Sequence, residues 1–520
     1  MPENIIIYDT TLRDGTQGEQ INLSAEDKFR IAQKLDEFGI HYVEGGWPAS
    51  NPKDTRFFQL IRKSSLKKSR MVAFGSTHWS KSNPQNDTNL LALLKAETKT
   101  VAIVGKSWDF HVRQILNVSL DKNLAMIEGT LSYLKAEGRE VIYHAEHFFD
   151  GYIYNPAYAL ATIDSAINGG AYYIVLCDTN GGTLTDDIRR IVTEIKKKIT
   201  TPIGIHAHND CGLALANSLI AIQAGAKMIQ GTINGYGERC GNADLIPVIA
   251  NLHLKMGYHC ILHEKIKQLT ELSRFVSDVA NVPPLNQHPF VGKSAFSHKG
   301  GIHVSAIQKA PSAYEHIDPS MVGNHRRVLV SDLSGKSNVE YKARELGIKL
   351  PENGINSRKI VSHIKNLEDQ GYQFDAAEGS LELLFKKLTG QFKDPFTLEA
   401  FRVIIDKNRD GNNTSQATIK ISVGHDHEIT AAEGDGPVNA LDNALRKALI
   451  KFFPQIQEMG LVDFKVRVIE GSDGTAAKVR VQIDSRDAKE IWSTIGVSEN
   501  IIEASWQALV DSVQYKLLKA

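Results

Sequence analysis

Ile205-His206-Ala207-His208-Asn209-Asp210 follows a turn signal and an apolar run, Thr201-Pro202-Ile203-Gly204, so it reads as the end of a buried strand. Side chains alternate along a strand, so His206 and His208 project the same way and their rings can meet one metal ion. A helical pattern, Gly212-Leu213-Ala214-Leu215-Ala216-Asn217, comes next. The stretch is therefore the C-terminal end of a strand in a β-then-α unit, where α/β folds place their chemistry. Taken alone, the pair is equally compatible with two histidines hydrogen-bonded in a polar layer.

Seven further apolar runs precede or follow it: Ile5 to Tyr8, His41 to Glu44, Met71 to Phe74, Thr100 to Val104, Val141 to His144, Tyr173 to Leu176 and Met228 to Thr232. Helical patterns such as Ala25 to Phe38 and Asp186 to Lys198 fill the gaps. Eight β-α units over roughly 250 residues predict an α/β fold, a (β/α)8 TIM barrel. An open doubly wound sheet is disfavoured because no G-x-G-x-x-G follows the first strand.

The predicted strand ends are polar. Asp9, Arg13, Asp14 and Gln17 follow strand one, and Glu44 closes strand two. His144 and Glu146 close strand five, Thr179 follows strand six, and Asn242 lies in the loop after strand eight. Charged groups converging on one rim are costly unless a metal or an ionic substrate compensates them. Two imidazoles with carboxylate and amide oxygens suit a divalent Mg, Mn or Zn ion, and an open coordination position makes that ion a Lewis acid for a carbonyl. Arg13 adds a charge able to stabilise an alkoxide, although a salt bridge to Asp14 or another rim acid is its commoner fate.

The 520 residues exceed one ordinary core, so two or three domains are expected. Lys+Arg and Asp+Glu both count 60, and no basic footprint points to nucleic acid. No run approaches the ~18 apolar residues of a membrane span, and the start of the chain enters a strand pattern without a signal sequence. Four widely spaced cysteines form no C-x-x-C pair or disulfide framework, which points to a reducing cytoplasm.

Three stretches carry a resemblance: Asp9 to Gln17, His206 to Asp210, and Gly231 to Asn242. Together they resemble the signatures of the 2-isopropylmalate/homocitrate/citramalate synthases, metal-dependent TIM-barrel acyltransferases related to hydroxymethylglutaryl-CoA lyase. The resemblance implies Asp14, His206 and His208 as metal ligands, with Asn242 a fourth ligand or a support. It implies that Arg13 polarises the keto oxygen, Thr179 holds the 2-oxo acid carboxylate, and Glu146 is a catalytic acid. Gln17, Glu44 and His144 are candidate substrate-binding residues on the same rim, whereas Asp9 is expected to be structural. Phe296 to His303 resembles the family's F-x-H-x-x-G-I-H stretch. It implies that His303, with Tyr314 beside it in function, reaches the barrel of a partner subunit in a homodimer.

Glu44 to Asp54, Gly105 to His111 and Ala145 to Tyr152 most resemble the citramalate branch of the family. Bulky Trp47, Phe110, Phe148 and Phe149 would suit a small 2-oxo acid if they line the pocket. The implied reaction joins acetyl-CoA, as co-substrate, to pyruvate and hydrolyses the thioester to (R)-citramalate and CoA. Isopropylmalate and homocitrate synthases differ from it only in the 2-oxo acid. A lyase of the same barrel family generally lacks the C-terminal region present here.

That region changes pattern past Asp394-Pro395. Strand-like runs at 401–405, 417–423 and 428–432 precede a helix from 436 to 452, and runs at 464–468, 477–483 and 490–494 precede a helix from 498 to 517. This predicts two βββα units, an internal duplication. The expected organisation is a catalytic barrel at 1–265, mostly helical linker subdomains at 266–393 that complete the partner's active site, and an α+β regulatory domain at 394–520. By resemblance the last binds an end-product amino acid, isoleucine for citramalate.

Overall fold

The computed structural model describes residues 3–64, 66–350, 355–407, 413–469 and 476–519. The chain divides into two compact units, Met1–Phe296 with Pro319–His325, and Ser297–Asp318 with Arg326–Ala520.

The first unit is a closed barrel of parallel strands in sequence order: β1 Ile6–Asp9, β2 Tyr42–Gly46, β3 Arg70–Ser76, β4 Thr100–Lys106, β5 Glu140–Glu146, β6 Tyr173–Asp178, β7 Ile203–Ala207 and β8 Met228–Gly231. β1 closes on β8 with Ile6 opposite Met228 and Asp9 opposite Gly231. All eight expected strands are present. The connecting helices begin and end where local chemistry directs. Ser24 and Asp27 form a capping box ahead of the helix Ala25–Phe38, and Gly39, at φ +103°, ends it in the left-handed conformation.

Alternation along the strands builds the barrel interior. Tyr8, Tyr42, Val72, Phe74, Ala102, Ile142, Val175, Cys177 and Met228 form one buried cluster inside it. Two residues further along the same faces stand Glu44, His144 and Gln230. The interior is therefore apolar toward the strand starts and polar at the strand ends, and that gradient places the site.

The second unit is mostly helical at first, with helices at Gly301–Lys309, Lys336–Glu345, Ile355–Asp369 and Glu378–Leu388. Two antiparallel three-stranded sheets follow. Thr397–Lys407, Asn413–Val423 and Asp426–Gly434 precede a helix at Pro437–Leu449, and Gly460–Val468, Val479–Arg486 and Ile491–Ser498 precede one at Ile501–Lys519. The expected βββα duplication is thus present. The two copies share one core, in which Ile419, Ile421, Leu441 and Leu445 of the first meet Val481, Ile483, Trp492 and Leu509 of the second. The helix Glu378–Leu388 joins that core through Leu383, and Ser380 Oγ donates to Asp511 Oδ2 at 2.6 Å. Among the described residues no helix is long and apolar enough to cross a membrane.

Candidate active site

Asp14, His206 and His208 converge at the barrel mouth, all three buried, with one ligand atom from each lying within 4.8 Å of the others. Asp14 Oδ2 lies 3.2 Å from His206 Nε2, which lies 3.3 Å from His208 Nε2. His206 stands on β7 and His208 directly past its end, with ring centroids 5.2 Å apart, as alternation requires. The turn after β1 delivers Asp14, and Asp9 holds that turn by accepting from Thr11 N at 2.9 Å and Thr11 Oγ1 at 2.8 Å. Thr11 Oγ1 in turn accepts from Ile233 N at 2.8 Å, tying the turn to the loop after β8. Asp9 therefore shapes the site without facing it, and burial pushes its carboxyl up to about 7.

Asn242 comes from the loop after β8. Its Nδ2 donates to Asp14 Oδ2 at 3.0 Å and lies 3.2 Å from His206 Nε2, while its Oδ1 is buried without a partner. As placed, Asn242 supports two neighbours through its amide nitrogen, and a half-turn of the amide presents an oxygen instead. Gly237, at φ +156°, lies against that side chain, and a Cβ there would overlap Asn242 Oδ1. Burial alone would raise the Asp14 carboxyl. The Arg13 guanidinium and the His206 hydrogen bond outweigh it and hold Asp14 well below the usual carboxylate range. Burial, with His206 adjacent, lowers His208 to about 4. An ionised carboxylate, two imidazoles and an unsatisfied amide oxygen fit a divalent cation of borderline to hard character.

Gln230 was not singled out from the sequence. It faces His206 across the β7–β8 ladder, its Oε1 3.0 Å from His206 Nδ1 and its Nε2 2.9 Å from His144 Nε2. Its only sequence signal is a polar residue inside the apolar run Met228-Ile229-Gln230-Gly231.

Arg13 pairs with Glu44 through Nε and with Asp14 through Nη1 at 3.4 Å, and its guanidinium lies 4.0 Å over the Phe74 ring. The salt-bridge reading of Arg13 thus describes this arrangement, with the guanidinium still facing the cavity. Glu44 is fully buried and uses its second oxygen to accept from Tyr8 Oη. Glu44, expected among the substrate-binding residues, here meets Arg13 with one oxygen and Tyr8 with the other and anchors Arg13 from behind.

Arg13, Asp14, Gln17, His144, Glu146 and Thr179 line a cavity of about 230 Å³ together with His206 and His208. Glu146 is ion-paired with Lys106, a second residue the sequence reading passed over. Thr179 Oγ1 accepts from His147 N at 2.9 Å, and the Thr179 carbonyl accepts from Arg239 Nη2 at 2.7 Å. Arg239 in turn grips both oxygens of Asp210, at 2.8 and 3.0 Å.

Trp47, Phe74 and Val104 supply the apolar side of the cavity. Of the four aromatics expected there, only Trp47 is in place. Phe148 and Phe149 are wholly buried core residues, and Phe110 is exposed. A second cavity, of about 520 Å³, shares Trp47, Val104 and Glu146 with the first.

His303 and Tyr314 belong to the second unit, where their rings stack with centroids 4.1 Å apart. Tyr314 is exposed.

Residues 4–276 match a family model described as HMGL-like, residues 290–372 one for the homocitrate synthase post-HMGL domain, and residues 375–517 the LeuA allosteric (dimerisation) domain. The (R)-citramalate synthase of Aquifex aeolicus is 53% identical over 100% of this chain and 99% of its own length. That of Geobacter sulfurreducens is 54% identical over 99% of this chain and 98% of its own. A probable 2-isopropylmalate synthase of Methanopyrus kandleri is 30% identical over 99% of this chain and 98% of its own.

Proposed function

This chain belongs to the HMGL-like family, in its (R)-citramalate synthase branch, and on that premise we propose that it condenses acetyl-CoA with pyruvate and hydrolyses the thioester to (R)-citramalate and CoA. The observation that carries the choice of acid is identity above half to two full-length citramalate synthases, against 30% to a probable isopropylmalate synthase.

A divalent cation held by Asp14, His206 and His208 supplies, when bound, a Lewis acid for the acceptor carbonyl. The chain's own residues do the rest. Glu44 fixes Arg13 so that its charge meets the ketone oxygen as it becomes an alkoxide. The Thr179 hydroxyl, with its oxygen already accepting from His147 N, has its proton free for the acid's carboxylate. Glu146 lines both cavities, which supports a role for its carboxylate between the 2-oxo acid and an acetyl thioester entering through the larger one. The methyl group of the thioester gives up a proton, and its carbon bonds to C2 of pyruvate while the ketone oxygen is protonated. Water then adds to the thioester carbonyl and the carbon–sulfur bond breaks to release CoA.

His303 and Tyr314 complete the site from the other subunit of a homodimer, consistent with the match of residues 375–517 to a dimerisation domain. The duplicated C-terminal module is the regulatory domain, and isoleucine is its effector. With four free cysteines, the enzyme works in a reducing cytoplasm. Pyruvate-dependent CoA release with Mn or Mg tests the reaction. Mixing inactive Asp14→Ala and His303→Ala chains tests the shared site: activity recovered on exchange of subunits supports it, and two variants that stay inactive together argue against it.

A further inference from the structure

Trp47 follows β2 on the apolar side of the smaller cavity, and it is fixed at several points. Its backbone N–H donates to Asp54 Oδ2 at 2.9 Å, and its indole Nε1–H donates to Asn89 Oδ1 at 2.7 Å. Its ring meets Phe74 edge-on, with centroids 5.5 Å apart. Both acceptors are themselves anchored. Asn89 Nδ2 donates to Ser76 O at 2.8 Å. Asp54 pairs with buried Lys28, which also donates to Gly45 O at 3.2 Å. Even the approach is tight: Gly46 sits at φ +142°, and a Cβ there would overlap the Asp54 carboxylate. An indole held at its backbone, its nitrogen and its face cannot swing aside for a bulkier ligand.

The polar groups of the cavity gather around Arg13, Asp14 and the histidines, and the apolar side is Trp47, Phe74 and Val104. A 2-oxo acid whose oxygens face the first set turns its remaining substituent toward the second. We infer that Trp47, held in place by Asn89, is the residue that limits the side chain of the 2-oxo acid to a methyl group. Asn89 is a positioning residue: it touches Trp47 and does not line the cavity. The inference rests on the condensation proposed above and names what selects its acid.

The test compares kcat/KM for pyruvate, 2-oxobutyrate and 2-oxoisovalerate in the wild-type chain and in Trp47→Leu, Trp47→Phe and Asn89→Ala. The KM for acetyl-CoA is measured alongside, because Trp47 also borders the larger cavity. Trp47→Leu is expected to raise the ratio of the larger acids to pyruvate by about tenfold or more, the scale on which apolar pockets discriminate single methylenes. Asn89→Ala is expected to move the ratio the same way by less, with little change for acetyl-CoA. An equal loss on all three acids overturns the inference, and so does a rise in acetyl-CoA KM alone. If Trp47→Leu fails to fold, Trp47→Phe and Asn89→Ala decide the matter by the same ratio. Wild-type preference among the acids tests the condensation itself, whereas the change from wild type to variant tests Trp47.

Discussion

Gln230 Oε1 lies 3.0 Å from His206 Nδ1, and this hydrogen bond decides which ring nitrogen faces Asp14. A carboxamide oxygen only accepts, so Nδ1 donates to Gln230 and Nε2 is the nitrogen turned toward Asp14 and His208. The other end of the same amide donates to His144 Nε2 at 2.9 Å, which fixes a second ring on the cavity wall. One buried glutamine thus orients two histidine rings.

Gln230→Leu keeps the size of the side chain and removes both bonds. Partners of this kind behind a ligand histidine are worth about 10–100-fold in metal affinity. Calorimetric titration of the metal-free protein with Mn should show a loss of that order, with the thermal unfolding midpoint nearly unchanged. Wild-type affinity in the variant would remove Gln230 from the account.

Arg13 is held by Glu44 at Nε and by Asp14 at Nη1, a geometry that a single ammonium cannot reproduce. Arg13→Lys should lower kcat by about 10²–10³-fold, the scale of losing one aimed donor. Glu44→Gln should lower kcat by less while leaving Mn affinity close to wild type, because it loosens Arg13 and touches no ligand. Loss of metal binding in Glu44→Gln would contradict this division of roles.

Gly237→Ala tests the support of Asn242. The new methyl group would overlap Asn242 Oδ1, and φ +156° is itself unfavourable for alanine. Mn affinity and stability should both fall. A variant with normal affinity would mean that Asn242 does not need its present position.

How much of this was legible in the sequence follows from the range of each interaction. Parallel strands buried on both faces are near-continuous apolar runs, so all eight were visible, with ends displaced by a residue or two. The His206–His208 pairing needs only the two-residue period of one strand. The βββα duplication showed itself in the repeated spacing of strands and helix. Gln230 was not legible, because its role depends on ladder register with β7, in which His206 stands opposite Gln230 although the two are 24 residues apart in the chain. Phe74, under Arg13, and Lys106, opposite Glu146 on the neighbouring strand, likewise act on residues distant in the chain. Phe148 and Phe149 misled because their local sequence does not say that the helix Phe148–Tyr154 turns both rings into the core.

The His208 ring supplies a pH prediction. Its folded value of about 4 lies below the ordinary 6.5, so between those values the unfolded chain takes up a proton that the folded metal-free chain does not. Stability must then fall as pH drops from about 6.5 to about 4. His208→Asn removes this contribution, so the urea midpoint of the wild type should fall more steeply than that of the variant over this window. Parallel curves would contradict it.

Isoleucine should lower the rate of CoA release and raise the thermal midpoint of the full chain, by preferential binding to the folded regulatory module. Leucine should do neither at equal concentration. The reverse preference would reassign the effector.

The most direct test of the central claim is CoA release from acetyl-CoA, with Mn or Mg present, when pyruvate, 2-oxobutyrate, 2-oxoisovalerate and 2-oxoglutarate are offered in turn. The account predicts the highest kcat/KM with pyruvate and no release once a chelator has removed the metal. The highest kcat/KM with 2-oxoisovalerate, or release that survives complete metal removal, would contradict it.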